Sequence, residues 1–113
     1  MMRLCPTIRF DIFMAGDIAT VKQVCREFCY ARGFCVHIEA ADYVYTGGEE
    51  AGVRVGILNY PRFPTNETAL QDAARDLGIQ LRDRLCQHSF LLVGPDITEW
   101  HTRRPQHLSE AAE

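Results

Sequence analysis

Apolar residues recur along this chain at two different periods, and the switches between them divide it into strands and helices. Over residues 7–14 every second position is apolar: Ile8, Phe10, Ile12 and Met14 share one side, and Arg9, Asp11 and Phe13 the other. That is the signature of a half-buried strand. After Ala15-Gly16 the period lengthens, and Ile18, Val21, Cys25, Phe28 and Cys29 form one stripe of a helix over residues 18–32. Asp17 is suited to cap its N-terminus and Gly33 to stop it. Residues 34–45 return to alternation, with Val36 and Ile38 inward and Cys35, His37 and Glu39 outward. A phase shift before Tyr43-Val44-Tyr45 predicts a bulge at Ala40-Ala41-Asp42. The run TGGEEAG then predicts a hairpin connection, its paired glycines supplying the positive φ of a tight turn. A strand follows over residues 51–60, with Val53, Val55 and Ile57 inward and Arg54, Gly56, Leu58 and Tyr60 outward. Pro61 and Pro64 end it, since neither can donate to a ladder. Leu70, Ala74, Leu77, Leu81 and Leu85 predict a second helix, capped by Thr65 or Asn66 and reaching about residue 87. Residues 89–93 form a fourth strand, and the alternating ITEWHTRR predicts a short fifth strand paired with it.

The order β-α-β-β-α-β predicts a ferredoxin-like α+β fold: one antiparallel sheet with both helices on one face and strand order 4-1-3-2. One domain is expected over residues 1–104, followed by a flexible polar tail over 105–113. The opposite face of the sheet has no helix to cover it. Phe13, Leu58, Tyr60, Leu91 and Val93 point there, more large apolar groups than a fully wetted face carries. Phe13, Leu58 and Tyr60 are therefore candidates for a self-association patch, making a homodimer the expected assembly. Tyr43, Tyr45, Glu49 and Glu50 on the hairpin, with Arg62 in the prolyl turn, are candidates for contact with another protein.

Composition narrows the function classes. At 113 residues with 47% hydrophobic and 24% charged positions the chain has globular proportions. A formal charge of −3 argues against nucleic acid as a partner, because such proteins carry a basic footprint. No apolar run is long enough for a membrane span, and no export signal precedes the first strand, so a cytoplasmic location is expected. The five cysteines are odd in number and irregularly spaced, which favours free thiols over a disulfide framework.

No constellation of catalytic, cofactor or metal residues is expected. Cys25 and Cys29 share a helix face directed to the core, while Cys35 and His37 point to the other side of the sheet, so the four do not converge on a metal. Cys86 and His88 lie far from either pair. Cys35 beside His37 is the best nucleophile candidate, but residues two apart on a strand stand parallel rather than touching. Met14-Ala15-Gly16-Asp17 enters a helix N-terminus, yet Asp17 would repel an anion there. A sheet of this plan can stack RNA bases, but the basic, aromatic-rich consensus is missing.

The segments FDIFMAGD, YTGGEEAG, NYPRFP and TEWHTRR together resemble the small orphan accessory proteins of bacteriophages and prophages of Gram-negative bacteria. That resemblance implies a cytoplasmic protein that binds a host component, such as an inhibitor of CRISPR defence; it assigns no functional residue. The expected function is accordingly a non-enzymatic binding protein. The alternative is a small dimeric α+β-barrel enzyme, or a small-molecule-binding domain, with a pocket between sheet and helices. The aliphatic inward positions count against that alternative, because such a pocket needs converging polar groups.

Overall fold

The computed structural model describes residues 1–104; the expected tail over 105–113 lies outside the described residues. Its elements are β1 (Arg9–Ala15), α1 (Ile18–Arg32), β2 (Val36–Tyr45), β3 (Gly48–Leu58), α2 (Glu67–Arg84), β4 (Ser89–Val93) and β5 (Thr98–Thr102). They form one five-stranded sheet in the order β2-β3-β1-β4-β5. All pairings are antiparallel. This is the predicted ferredoxin-like arrangement, with the short fifth strand beside β4.

Both helices are set by the signals that predicted them. The Asp17 carboxylate accepts from the Thr20 amide at 3.0 Å, and Gly33 ends α1 in the left-handed conformation at φ 73°. Asn66 caps α2, its side chain accepting from the Ala69 amide at 2.8 Å. Each cap satisfies an otherwise orphaned donor and is worth about 1 kcal/mol. The helices bury one face each: Val21, Val24, Cys25 and Phe28 from α1, and Leu70, Ala73, Ala74, Leu77, Gly78 and Leu81 from α2. They pack on Phe10, Ile12, Met14, Val53, Val55, Ile57, Phe90 and Leu92 of the sheet. Leu85 is only partly buried, being the residue that ends α2. At Gly78 the helix comes so close to β4 that a Cβ would lie 2.4 Å from the Phe90 ring.

Three local expectations fail. β2 and β3 pair without interruption from Val36↔Ile57 to Tyr45↔Gly48, so Ala40-Ala41-Asp42 contains no bulge. Val44 is 76% exposed not through a change of phase but because the hairpin runs beyond the helices. For the same reason β3 begins at Gly48, and most of the segment read as a connection is strand; the turn itself is only Thr46-Gly47, with Gly47 at φ 83°. At its other end β3 stops at Leu58, leaving Tyr60 in an isolated bridge to Phe63.

A polar network closes the β5 edge on the helix side. Arg75 grips Glu99 through Nη2 at 2.6 Å and Nε at 2.9 Å, and Gln71 adds a bond at 3.0 Å. His101 approaches Glu99 at 2.7 Å while its ring stacks on Phe90 with centroids 4.6 Å apart. The hydrogen bonds from Arg75, helped by His101 and opposed by desolvation, hold the Glu99 carboxyl down to about 2.

Two outcomes follow from this packing. Leu81→Ala should cost about 2–5 kcal/mol in denaturant melts, as a fully buried large-to-small change. Gly78→Ala, which in an exposed helix would stabilise by about 1 kcal/mol, should instead destabilise because its methyl meets Phe90. Glu99 has a native pKa below its unfolded one, so its contribution is complete above about 4.5 and disappears as pH falls towards about 2. With solvent screening the pair should be worth about 0.5–1 kcal/mol at neutral pH. Glu99→Gln should remove that amount and flatten the acid limb of a stability–pH curve; an unchanged limb would contradict it.

Candidate functional site: an aromatic groove on the open sheet face

The helices cover one face of the sheet, and the register aligns the residues of the other face in rows. One row is Glu39 (β2), Arg54 (β3), Phe13 (β1), Leu91 (β4) and Trp100 (β5), each paired with the next across the strands. A second row, towards the hairpin, contains Ala41, Gly52 and Ala15, and beyond it Tyr43 stands opposite Glu50. Small residues in the middle row and large ones on either side leave a groove of about 260 Å³, lined by Phe13, Ala15, Tyr43, Tyr45, Glu50, Gln87, Ser89, Leu91 and Trp100.

The walls are held in place by specific contacts. The Tyr43 ring lies across the backbone at Gly52, where a Cβ would come within 2.6 Å of it and 2.4 Å of the Met14 carbonyl oxygen. Its hydroxyl donates to the Val53 carbonyl at 2.5 Å. Burial pushes the Tyr43 hydroxyl above its ordinary pKa. The Tyr45 hydroxyl donates to Glu50 Oε1 at 3.1 Å, a bond that raises the tyrosine pKa. The guanidinium of Arg54 sits 5.8 Å from the centroid of Phe13. Flat aromatic surfaces beside a carboxylate suit a flat heterocycle joined to a cationic group.

Next to the groove the sheet face is polar rather than apolar. Asp11, 8% exposed, accepts from Arg9 Nε at 2.9 Å and faces Arg54 Nε at 3.3 Å. Arg54 also donates to Glu39 at 3.2 Å. His37 covers Gly56 so closely that a Cβ there would meet its ring at 2.0 Å.

Of the residues singled out by sequence, Phe13, Tyr43, Tyr45 and Glu50 come together in the groove. Leu58 pairs with Arg9 at the far end of the sheet, and Tyr60 stacks with Phe63 at 5.3 Å in the prolyl turn that also carries the exposed Arg62. Glu49 lies opposite Val44 near the hairpin tip. Trp100, Gln87 and Ser89 were not anticipated as lining. Trp100 had a usable signal, because ITEWHTRR alternates and places it in phase with Thr98 and Thr102.

A second groove, of about 380 Å³, separates α1 from the edge strand β2 and is lined by Lys22, Cys25, Arg26, Cys29, Phe34, Cys35, Val36 and Ile38. Here Cys35 is corrected: it lies just before β2 on the same groove as Cys25 and Cys29, not on the open face with His37. The Tyr60 hydroxyl donates to its sulfur at 3.3 Å. All five cysteines are free thiols, and Cys86 is exposed at φ 57° just past α2. Burial pushes the Cys25 thiol up to about 12 and raises Cys29 as well. Among the described residues no helix is long and apolar enough to cross a membrane.

An α+β sheet with an aromatic, carboxylate-bearing groove on its uncovered face is thus the class of molecule that fold and site define. No protein-family model and no curated protein sequence matches the chain. Solved structures do: a phage SAM lyase in its apo state superposes with a TM-score of 0.70 at 18% identity, covering 92% of this chain and 96% of that one. A phage SAM lyase in complex with S-methyl-5'-thioadenosine matches with a TM-score of 0.61 at 15% identity, covering 90% and 95%. Both are phage proteins, in keeping with the phage resemblance at that coarse level. Both are also enzymes. This corrects the expectation of a non-enzymatic protein that acts by protein–protein contact as an inhibitor of host defence such as CRISPR.

Thiol reactivity should follow burial. A small alkylating reagent at neutral pH should label Cys35 and Cys86 in the folded protein and leave Cys25 unmodified until denaturant is added. Rapid native labelling of Cys25 would contradict the packing described.

Proposed function

We propose that this chain is a SAM lyase that takes S-adenosylmethionine in the open-face groove and releases S-methyl-5'-thioadenosine. The observation that carries this reading is the end-to-end fold match to a phage SAM lyase, which leaves almost no part of either chain unaccounted for. The chemistry of the groove supports it. Phe13, Tyr43 and Trp100 offer faces for an adenine ring, and Glu50 offers a negative charge to a sulfonium ion. The wider groove beside α1 suits this substrate less well, because Lys22 and Arg26 line it and would repel a cation. At about 260 Å³ the open-face groove is just below the usual range for ligand sites of roughly 300–1,000 Å³. It therefore encloses part of such a ligand and leaves the rest at the surface.

Release of the thioether without water requires the remaining four-carbon fragment to satisfy itself. The substrate's own carboxylate oxygen can attack the γ-carbon of its amino-acid chain, which is bonded to sulfur: the C–O bond forms, the bond from that carbon to sulfur breaks, and the electron pair stays on sulfur. The products are neutral S-methyl-5'-thioadenosine and a five-membered lactone. A carboxylate and a sulfonium disappear together, so the step is favoured where water is displaced by aromatic walls, and it requires no nucleophile from the protein. The protein's task is to fold the substrate so that oxygen and carbon meet.

Incubation of the protein with S-adenosylmethionine should accumulate S-methyl-5'-thioadenosine, measured by chromatography, and Glu50→Gln should slow it at least tenfold, about 1.4 kcal/mol in the barrier. Failure of the wild-type protein to form that product would overturn the reading. Trp100 is the one tryptophan of the chain. Titration with S-methyl-5'-thioadenosine should change its emission, and an unchanged spectrum at saturating ligand would place the ligand elsewhere.

A further inference from the structure

One feature of the open face does not serve the adenosyl end of a substrate. Glu39 and Arg54 are register partners on β2 and β3, joined Nη1 to Oε2 at 3.2 Å. Both reach solvent, with side chains 53% and 30% exposed. They adjoin the groove through Phe13, which lines it and carries the Arg54 guanidinium 5.8 Å above its ring. Beneath them Asp11, itself gripped by Arg9, faces Arg54 Nε at 3.3 Å and anchors the guanidinium from the buried side. The cluster therefore balances two guanidinium groups against two carboxylates, and its outermost members are one cation and one anion side by side. A guanidinium has five N–H donors in a planar fork; Arg54 hydrogen-bonds Glu39 through Nη1, while its Nε meets Asp11 as an ion pair without a hydrogen bond, so donor capacity is left over.

A fixed cation beside a fixed anion is complementary to a zwitterion. An α-carboxylate pairs with the guanidinium and the adjacent α-ammonium with the glutamate. We infer that the Arg54–Glu39 pair is the subsite for the α-amino-acid end of the substrate, and that it separates substrate from nucleoside product. The inference rests on the reading of the groove as the adenosyl site. S-methyl-5'-thioadenosine lacks the amino-acid end, so it forgoes these charge-assisted contacts and leaves on its aromatic contacts alone. Asp11 and Arg9 act as positioning residues, since they hold the guanidinium without reaching the groove.

Binding of two uncleaved thioethers tests this: S-adenosyl-L-homocysteine, which keeps the amino-acid end, and S-methyl-5'-thioadenosine, which lacks it. By calorimetry the wild-type protein should prefer the former. Arg54→Gln and Glu39→Gln should each reduce that preference roughly tenfold or more, and Glu39→Gln, which leaves Arg54 over Phe13, should keep the affinity for S-methyl-5'-thioadenosine unchanged. Glu39→Gln keeps Arg54 on Asp11 and decides the matter if Arg54→Gln unfolds. Equal wild-type affinity for both ligands, a preference that survives Glu39→Gln, or equal weakening of both ligands would overturn the subsite and leave the adenosyl groove standing. Failure of the wild-type protein to bind either ligand would overturn both.

Discussion

Tyr43, Glu50, Glu39 and Arg54 on the open face owe their positions to the register of one long hairpin. The two-residue turn Thr46-Gly47, possible because Gly47 adopts φ 83°, sets Tyr45 opposite Gly48. From there the pairing runs without a bulge to Val36↔Ile57. It sets Tyr43 against Glu50, Gly52 against Ala41, and Glu39 against Arg54 in a single sequence of pairs. Side chains alternate strictly along a strand, so a slip of one residue would turn all of these to the helix side and expose Val53, Val55 and Ile57. The aliphatic residues of β3 and the turn therefore enforce the same register, one by burial and the other by backbone geometry. The chemistry on the opposite face is fixed by that agreement.

The two faces of the sheet divide the work. On the helix side, small residues at Ala73, Ala74 and Gly78 let α2 settle onto β1 and β4, leaving Leu77 and Leu81 fully buried. That side is packed for stability. On the open side Asp11 is buried not by helices but by two arginines above it. The Phe13, Leu91 and Trp100 surface continues from this charged cluster to the β5 edge. Charge and aromatic area thus adjoin across the width of one face, which suits a ligand with a polar end and a flat apolar end.

Much of the architecture was legible because its signals are local. The alternation of Ile8 to Met14 and of Val53 to Ile57, the leucine stripe of α2, and the caps Asp17, Gly33 and Asn66 each depend on neighbours a few positions away. The start of β3 was not legible, because Gly48, Glu49 and Glu50 have little strand preference and sit in a glycine-rich run; pairing with Tyr45, Val44 and Tyr43 makes them strand. Val44 imitated a bulge because an inward phase means burial only where a helix lies above it. The groove depends on Trp100 lying beside Leu91, and Leu91 beside Phe13, a juxtaposition set by long-range pairing that spacing along the chain does not encode. The choice of a non-enzymatic function had a related cause. The space between helices and sheet is aliphatic, whereas the polar and aromatic groups that line a groove stand on the opposite face.

The most direct test of this division is a crystal structure of the protein with S-methyl-5'-thioadenosine. The account predicts the adenine ring on the open face, among Phe13, Tyr43 and Trp100. A nucleoside lodged instead in the groove between α1 and β2, against Cys25 and Cys29, would contradict it.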